Sequence, residues 1–324
     1  MANKNILTTL AKTVQVEHVY LSPTSVIPPD INVRYGTTYA FISKVEPWVD
    51  DNNPPTPSGD VSYLKQTFKN MIAAKLVHTS DISPVIQRID WESGFVYDYY
   101  QDNVDMTEKD DQGNNVYYFY VKNKYDQVFK CLWNNNGGPS LDEPYFEPGS
   151  YGTNGIFQGA TDDYKWKFMY SIDTGLKVKF MDDTWMPVHL GVNTPNPVYD
   201  GRTGAAPTEG AGGLEVINVV NGGSGYDSAN AIITVSITGD GLGAAATASA
   251  NTSGFITDIT VTNPGKDYTF ANVYITSASG SGATAYAPTS PIGGHGFDPI
   301  TELGSSHVMI TSEFNSDENG VLPT

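Results

Sequence analysis

Cysteine is nearly absent from this chain. Its 324 residues contain one, Cys131 in VFKCLW, which excludes an intrachain disulfide and any zinc site built from several thiolates. Packing alone must hold the fold. Basic residues are scarce as well: 18 Lys and Arg stand against 36 Asp and Glu, and the formal charge of −18 repels nucleic-acid phosphates and anionic lipid. No run of Lys or Arg interleaved with aromatics offsets that average, so neither nucleic acid nor a membrane is expected as a partner. Long apolar runs are missing too. The N-terminus MANKNILTTLAKTVQVEHVY has no apolar core leading to a small-residue cleavage site, and no stretch of about 18 apolar residues occurs elsewhere, which reads as a protein made and folded in a cytoplasm. Charge of either sign is sparse, at 17% of residues, so much of the surface is polar without charge, as in proteins that pack against neighbours or face the outside.

What is present favours β structure. Thirty-two Gly, 20 Pro and 20 Tyr suit a turn-rich, mainly β fold of the α+β kind. TTYAFISKV, Thr37 to Val45, alternates as a strand does, and DDNNPPTPSG, Asp50 to Gly59, is a loop. From Asp60 a helix is expected through His78, because Leu64, Phe68, Met71, Ile72 and Lys75 fall at i, i+4, i+7, i+8 and i+11. Its apolar stripe is expected to pack on a sheet. PVIQRIDW and GFVYDYY read as short strands, and Val116 to Trp133 as an aromatic-rich hairpin around NKYD. In DYKWKFMYSI, Asp163 to Ile172, Trp166, Phe168 and Tyr170 alternate with Lys165, Lys167 and Met169, the pattern of a half-buried strand.

GRTGAAPTEGAGG, Gly201 to Gly213, is small and flexible in composition, like a linker into an insertion. A duplication follows. INVVNGGSGYDSANAIIT, Ile217 to Thr234, aligns with ITVTNPGKDYTFANVYIT, Ile259 to Thr276, at an offset of 42, pairing Asn221 with Asn263, Gly223 with Gly265, Tyr226 with Tyr268 and Ala229-Asn230 with Ala271-Asn272. A phosphate cradle needs its glycines ahead of a helix N-terminus. Here β-branched strands come next, and the second copy reads NPGKD, so no nucleotide or other cofactor is expected. The unit reads as strand, tight Asn-Gly turn, covering Tyr, strand and short Gly/Ala strand, repeated side by side over a common core. A spacer and a recognition knob are both open roles for it. The chain thus divides into a main β-rich domain (1–200), an inserted duplicated β module (201–290) and a return to the main domain (291–324).

Catalytic and metal patterns are thin. His18, His78, His189, His295 and His307 lie apart, without the i, i+4 spacing of a helical zinc site. DDQGNN, Asp110 to Asn115, lacks a calcium loop's alternating ligands and reads as a hairpin loop. No G-x-S-x-G elbow occurs, and Cys131 inside a strand is a buried thiol rather than a nucleophile. Asp50-Asp51, Asp162-Asp163 and Asp182-Asp183 keep a paired-acid glycosidase open, although each pair sits beside turn formers. GGHGFDP, Gly293 to Pro299, looks like an exposed His loop. Trp48, Trp91, Tyr145, Phe146 and Tyr151 stand in loops as candidate interface anchors, with core packing the competing role.

FISKVEPWVDD (Phe41 to Asp51), VIQRIDWESG (Val85 to Gly94), VFKCLWNN (Val128 to Asn135) and DYKWKFMYSI occur in an order and spacing that resemble the baseplate wedge subunit of T4-like contractile-tailed phages, the gene product eight family. The positions that carry the likeness are Glu46, Pro47, Trp48, Arg88, Asp90, Trp91, Cys131, Leu132, Trp166 and Ile172, over about residues 30 to 190. The tail from GGHGFDP onward is similar to that of long, cyanophage-like members with a small-residue insert. The resemblance implies a layered β-sandwich with helices in side loops, forming a homodimer that joins neighbouring wedge proteins in the virion's tail baseplate, with no enzymatic activity. It also implies further strands beyond the final LPT. Shorter members lack the duplicated insert, so the family implies nothing about its role. A carbohydrate-binding or host-recognition protein of a phage tail, with Tyr226 and Tyr268 stacking on sugar, is the alternative.

Overall fold

The computed structural model describes residues 15–16, 38–43, 48–50, 52–53, 56, 59–110, 113–152, 155–188, 212–227, 232–291 and 293–314. At its centre is an antiparallel sheet in the order β4-β5-β7-β6, made of β4 (Tyr120–Lys122), β5 (Gln127–Trp133), β6 (Ile156–Gln158) and β7 (Lys165–Ser171). The NKYD turn between β4 and β5 closes because Asn123 Oδ1 accepts from the main-chain N–H of both Tyr125 and Gln127 while Asp126 takes a φ of 60°. A second sheet, β15-β3-β8, combines β3 (Ile82–Gln87), β8 (Trp185–Pro187) and β15 (His307–Ile310).

The two sheets form a sandwich. Ile86, Met186 and Val188 from the smaller one meet Tyr120, Val128 and Met169 from the larger, with Ile300 and Leu303 closing the end. On the opposite face of the large sheet, Val121, Phe129, Cys131, Trp166 and Phe168 are covered by Tyr97, Tyr164, Phe146 and Tyr151 from loops. Burying a side chain such as Phe129 or Phe168 stabilises the fold by about 1.5–3 kcal/mol before entropy. The helices are short: α1 (Val61–Lys69), α2 (Thr174–Phe180) and α3 (Pro299–Glu302). The Asp173 carboxylate caps α2 by accepting from Gly175 N at 2.7 Å, and Lys177 and Lys179 sit in its last turn. The fold is mainly β, as composition predicts.

Three local expectations are corrected. The helix expected from Asp60 to His78 stops at Lys69, and Met71–Leu76 is strand β2, paired antiparallel with β1 (Tyr39–Ser43). Pairing with β1 satisfies backbone groups a longer helix would otherwise use, and tertiary context outweighs the helical periodicity. The GFVYDYY segment is not a strand: it is irregular chain tied to its neighbours by Gly94 N to Ser140 O, Asp98 N to Tyr118 O and Tyr100 N to Cys131 O. The expected hairpin begins as strand only at Tyr120.

The module has six strands: β9 (Asn218–Ser224), β10 (Ile233–Gly239), β11 (Ala245–Ala250), β12 (Ile256–Asn263), β13 (Ala271–Ser277) and β14 (Ser281–Tyr286). Its two copies interleave instead of lying side by side. β9 pairs with β14, β10 with β13 and β11 with β12, all antiparallel, so each ribbon takes one strand from each copy. The ribbons pack β14 beside β13, β10 beside β11 and β12 beside β9, enclosing Val235, Ile237, Val273, Ile275 and small alanines.

The two turns match in detail. Asn221 Oδ1 accepts from Gly223 N at 2.9 Å and Asn263 Oδ1 from Gly265 N at 3.0 Å, with φ of 63° and 65° at the glycines. The Tyr226 hydroxyl accepts from Ala283 N and that of Tyr268 from Ala244 N, each at 3.3 Å, so each ring seals strands of the other copy. The offset of 42 fails past the tyrosines. Gly241 and Gly280 hold equivalent places under Tyr268 and Tyr226, as do Ala244 and Ala283, and these stand 39 apart. Inward Ile233, Val235 and Ile237 correspond to Ala271, Val273 and Ile275, 38 apart. Ala229 and Asn230 lie outside the described residues.

A Cβ on Gly223 would stand 2.5 Å from Ala283 N and Ser281 O, whereas one on Gly243 meets nothing within 4 Å at a similar positive φ. Gly223→Ala is therefore expected to cost about 1–3 kcal/mol, and Gly243→Ala about 1 kcal/mol, in urea unfolding. Equal losses would refute the packing part of this account.

Candidate functional site

Lysine placement is the main surprise of the large sheet. The run Lys165 to Tyr170 is buried on both faces, not half-buried, and Lys130 on β5 is fully buried as well. Each ammonium meets a carboxylate from far along the chain: Lys165 Nζ lies 3.2 Å from Asp258 Oδ1, Lys167 Nζ 2.9 Å from Glu215 Oε2, and Lys130 Nζ 3.0 Å from Glu302 Oε2. The free oxygens are used too. Glu215 Oε1 accepts from His295 N at 2.8 Å, and Glu302 Oε1 from Gly296 N at 2.7 Å.

His295 is thus interior, 2% exposed, and not on an exposed loop. Its Nδ1 lies 3.1 Å from Lys130 Nζ and 3.5 Å from Glu302 Oε2. Burial first, and the adjacent Lys130 ammonium second, hold its pKa below the ordinary histidine value. Lys130 also sits 4.0 Å from the Tyr100 ring centroid, a cation–π contact. The two ends of the Lys130–Glu302 pair pull opposite ways. Burial lowers Lys130, with Glu302 restoring only part; burial also raises Glu302, yet Lys130 and His295 outweigh it and leave that carboxyl below its usual range. Glu302 governs at neutral pH, since the Gly296 and Asp298 N–H groups hold its charge in addition to the ammonium.

A cavity of about 360 Å³ adjoins this cluster, walled by Tyr100, Val104, Met106 and Pro291, with Asp105, Lys130 and Glu302 as its charged residues. The ammonium is spent on Glu302, His295 and Tyr100, and both Glu302 oxygens are engaged, so the cluster clasps chain segments rather than offering a proton acceptor to a substrate. Among the described residues no group of three or more His, Cys, Asp or Glu is placed to hold a metal. Burial raises the Cys131 thiol well above its normal value, the state of an unreactive cysteine. The acid pairs serve turns: Asp162 accepts from Leu141, Asp142 and Tyr164 N, and Asp182 from Thr184 and Trp185 N. Asp51 is outside the described residues.

Glu46 and Pro47 are likewise outside the described residues, and Trp48 is exposed. Arg88 grips Asp90 through Nε at 3.0 Å and Nη2 at 2.7 Å, Lys122 adds a 3.0 Å ion pair to the same carboxylate, and Arg88 Nη1 donates to Asp182 O. Burial pushes Asp90 up, but these two cations win and leave it low. Trp91 is half-buried beside this corner and donates Nε1–H to Ser140 Oγ at 3.0 Å. Trp166 is core, stacked on Tyr164 at 5.6 Å, with an Nε1–H that finds no acceptor. Phe146 and Tyr151 pack on the core, and Tyr145 pairs with Tyr125 at 4.5 Å. Arg88, Asp90 and Trp91 meet at one corner, and Trp91 packs against the cluster that holds Trp166.

The exposed apolar surface is elsewhere. Helix α1 buries none of its residues. Val61, Leu64 and Phe68 form one face at i, i+3 and i+7, Phe68 being 60% exposed although it stacks on Phe41 at 5.7 Å. Of the stripe read from the sequence as a sheet-packing face, Phe68 touches the β1–β2 sheet through Phe41, while Leu64 stays exposed. Comparison with models of known protein families and with curated proteins finds no match to the chain.

Lys167→Met strands Glu215 in the interior and is expected to cost about 3–5 kcal/mol in denaturant unfolding, with Glu215→Leu in the same chain recovering part of it. A double variant no better than the single one refutes the pair's role. Since His295 is held low, the unfolded chain binds its proton first, and stability falls as pH drops below about 6.5. Glu302, also held low, gives stability that is complete above about 4.3 and lost as pH falls through its folded pKa. Melting temperatures are expected to decline between about pH 7 and 5, less steeply in His295→Gln, which offers an acceptor to Lys130. An unchanged slope in that variant assigns the decline to other groups.

Proposed function

We propose that the chain is a structural protein of a phage contractile-tail baseplate, a wedge subunit that works through protein–protein interfaces and performs no chemistry. The observation that carries this reading is the α1 face: a helix that buries nothing of its own while exposing Val61, Leu64 and Phe68 is suited to completion by another subunit. The spaced motifs around Trp48, Arg88-Ile-Asp90-Trp91, Cys131-Leu132 and Trp166 support the same reading by resemblance. So does the interior: its charged residues fasten segments to one another, giving a stiff body able to transmit load. Homodimerisation, partnership with the other wedge proteins and residence in the virion belong to this proposal. Tyr226 and Tyr268, the rings named for the sugar-stacking alternative, are buried, 2% and 5% exposed, and hydrogen-bonded within the module, which counts against stacking through those two rings.

Size-exclusion chromatography with light scattering, on the purified chain alone and mixed with the other wedge proteins, tests the proposal. A dimer that enters the wedge complex is expected. Leu64→Asp is expected to abolish association with little change in melting temperature. A monomer that joins no complex overturns the reading.

A further inference from the structure

The outer face of the β10–β13 ribbon has an unusual chemistry. Its register sets Thr234 opposite Thr276, Ser236 opposite Tyr274 and Thr238 opposite Asn272, and all six are exposed. The other face of the ribbon, with Ile233, Val235, Ile237, Val273 and Ile275, is held in the module core, so the outer residues stand on a fixed pleat. Strands β10, β11, β13 and β14 contain no Asp, Glu, Lys or Arg, in a chain with a net charge of −18. Tyr274 is 55% exposed at the centre of the face, and Phe270, 54% exposed, stands four residues before it, about 13 Å away along an extended chain. The turn carrying Phe270 is anchored: Asp240 accepts from Thr269 N, Thr269 Oγ1 and Phe270 N.

Exposed sheet surfaces of soluble proteins usually carry charge, which solvates them and deters association. The strand face itself is uncharged, and the carboxylate at its Phe270 end, Asp240, is engaged by Thr269 and Phe270, so the face complements neither an acidic nor a basic polymer. Hydroxyls and an amide make it too polar for lipid or for the apolar centre of a protein interface. Ser and Thr hydroxyls both donate and accept, as sugar hydroxyls do, and an exposed tyrosine ring offers a flat apolar surface to the C–H face of a pyranose. Because Tyr274 sits mid-strand, little ordering cost accompanies binding. We infer that the β10–β13 outer face is a binding platform for a neutral polysaccharide, with Tyr274 as its stacking centre and Phe270 as a second aromatic contact along the sugar chain.

Affinity electrophoresis of the full chain through gels containing dextran, laminarin or yeast mannan tests this, with alginate as the acidic comparison. At least one neutral polymer is expected to retard the wild type, unaffected by raising salt from about 0.05 to about 0.5 M. Tyr274→Ala is expected to weaken retardation about tenfold or more at unchanged melting temperature, while Tyr274→Phe keeps most of it. Indifference of all three neutral polymers overturns the inference. So does equal retardation of Tyr274→Ala, or retention by alginate alone that salt abolishes. Loss of self-association in Tyr274→Ala without polysaccharide binding makes the face a protein contact and equally overturns it. Assembly through α1 is read separately, by Leu64→Asp, so either proposal can fail alone.

Discussion

Four lysines are buried in the large sheet; Lys122 on β4 pairs with nearby Asp90 and Asp126, and the other three constrain the rest of this molecule. Lys130, Lys165 and Lys167 point into the interior from β5 and β7, where an unpaired ammonium would be several kcal/mol unfavourable. The sheet cannot close until each finds a carboxylate, and those partners come from Glu302, Asp258 and Glu215, one in the return segment and two in the module. The strands therefore depend on chain that lies up to 172 residues away. A purely apolar interior of the same volume would often be as stable, but it would not dictate where the stem of the module and the GGHG segment must sit. Glu215 shows how tightly this is specified: one oxygen takes Lys167 and the other takes His295 N, so stem and return segment are fixed together.

The module follows the same logic with different material. It has few large apolar residues, and alanines and glycines let its ribbons approach closely. Each copy supplies three strands, yet every pairing crosses between copies, so half a module has no ribbon of its own. Tyr226 and Tyr268 fill the space that Gly280, Gly239 and Gly241 leave open. Asn218 Nδ2 to Leu132 O at 2.9 Å, and Asp102 to the Tyr286 hydroxyl and to Thr289, join module and main sheet. The insert is seated on the sandwich by buried contacts, in contrast to the linker-like composition at 201–213.

Much of this was legible in the sequence, and the rest was hidden for definable reasons. The strands at 127–133 and 165–171 and the Asn-Gly turns follow from local pattern, because β-branched and aromatic runs and positive-φ positions are local properties. The burial of Lys165 and Lys167 was not legible: alternation normally turns lysines to solvent, and nothing near them in sequence announces Glu215 or Asp258. His295 misled for the same reason, since a loop flanked by glycines reads as exposed until Glu215 and Glu302 are brought to it. Helix α1 ended early because β1 offers Met71–Leu76 a strand partner, a non-local event. The copy offset of 42 holds from the Asn-Gly turns to the tyrosines, whereas Ala244 and Ala283 stand 39 apart; a difference in connection length leaves no mark that letter matching alone can place.

The two exposed faces differ in the strength each requires. The α1 face is apolar, so each copy that joins through it removes surface whose burial is favourable in any salt. The β10–β13 face offers one central aromatic among hydroxyls, and hydroxyl-to-sugar contacts replace contacts to water of nearly equal worth, so the proposed binding by a single module would be weak. Weak sites become effective when held in pairs, because the second contact forms at the effective concentration set by the first. The proposed dimer through α1 would present two such faces, and the buried seam that ties each module to its sandwich would keep their separation from drifting. On the two proposals together, rigidity in the interior would convert two marginal sugar contacts into attachment; a module on a loose linker, carrying the same Tyr274, would forfeit most of that gain.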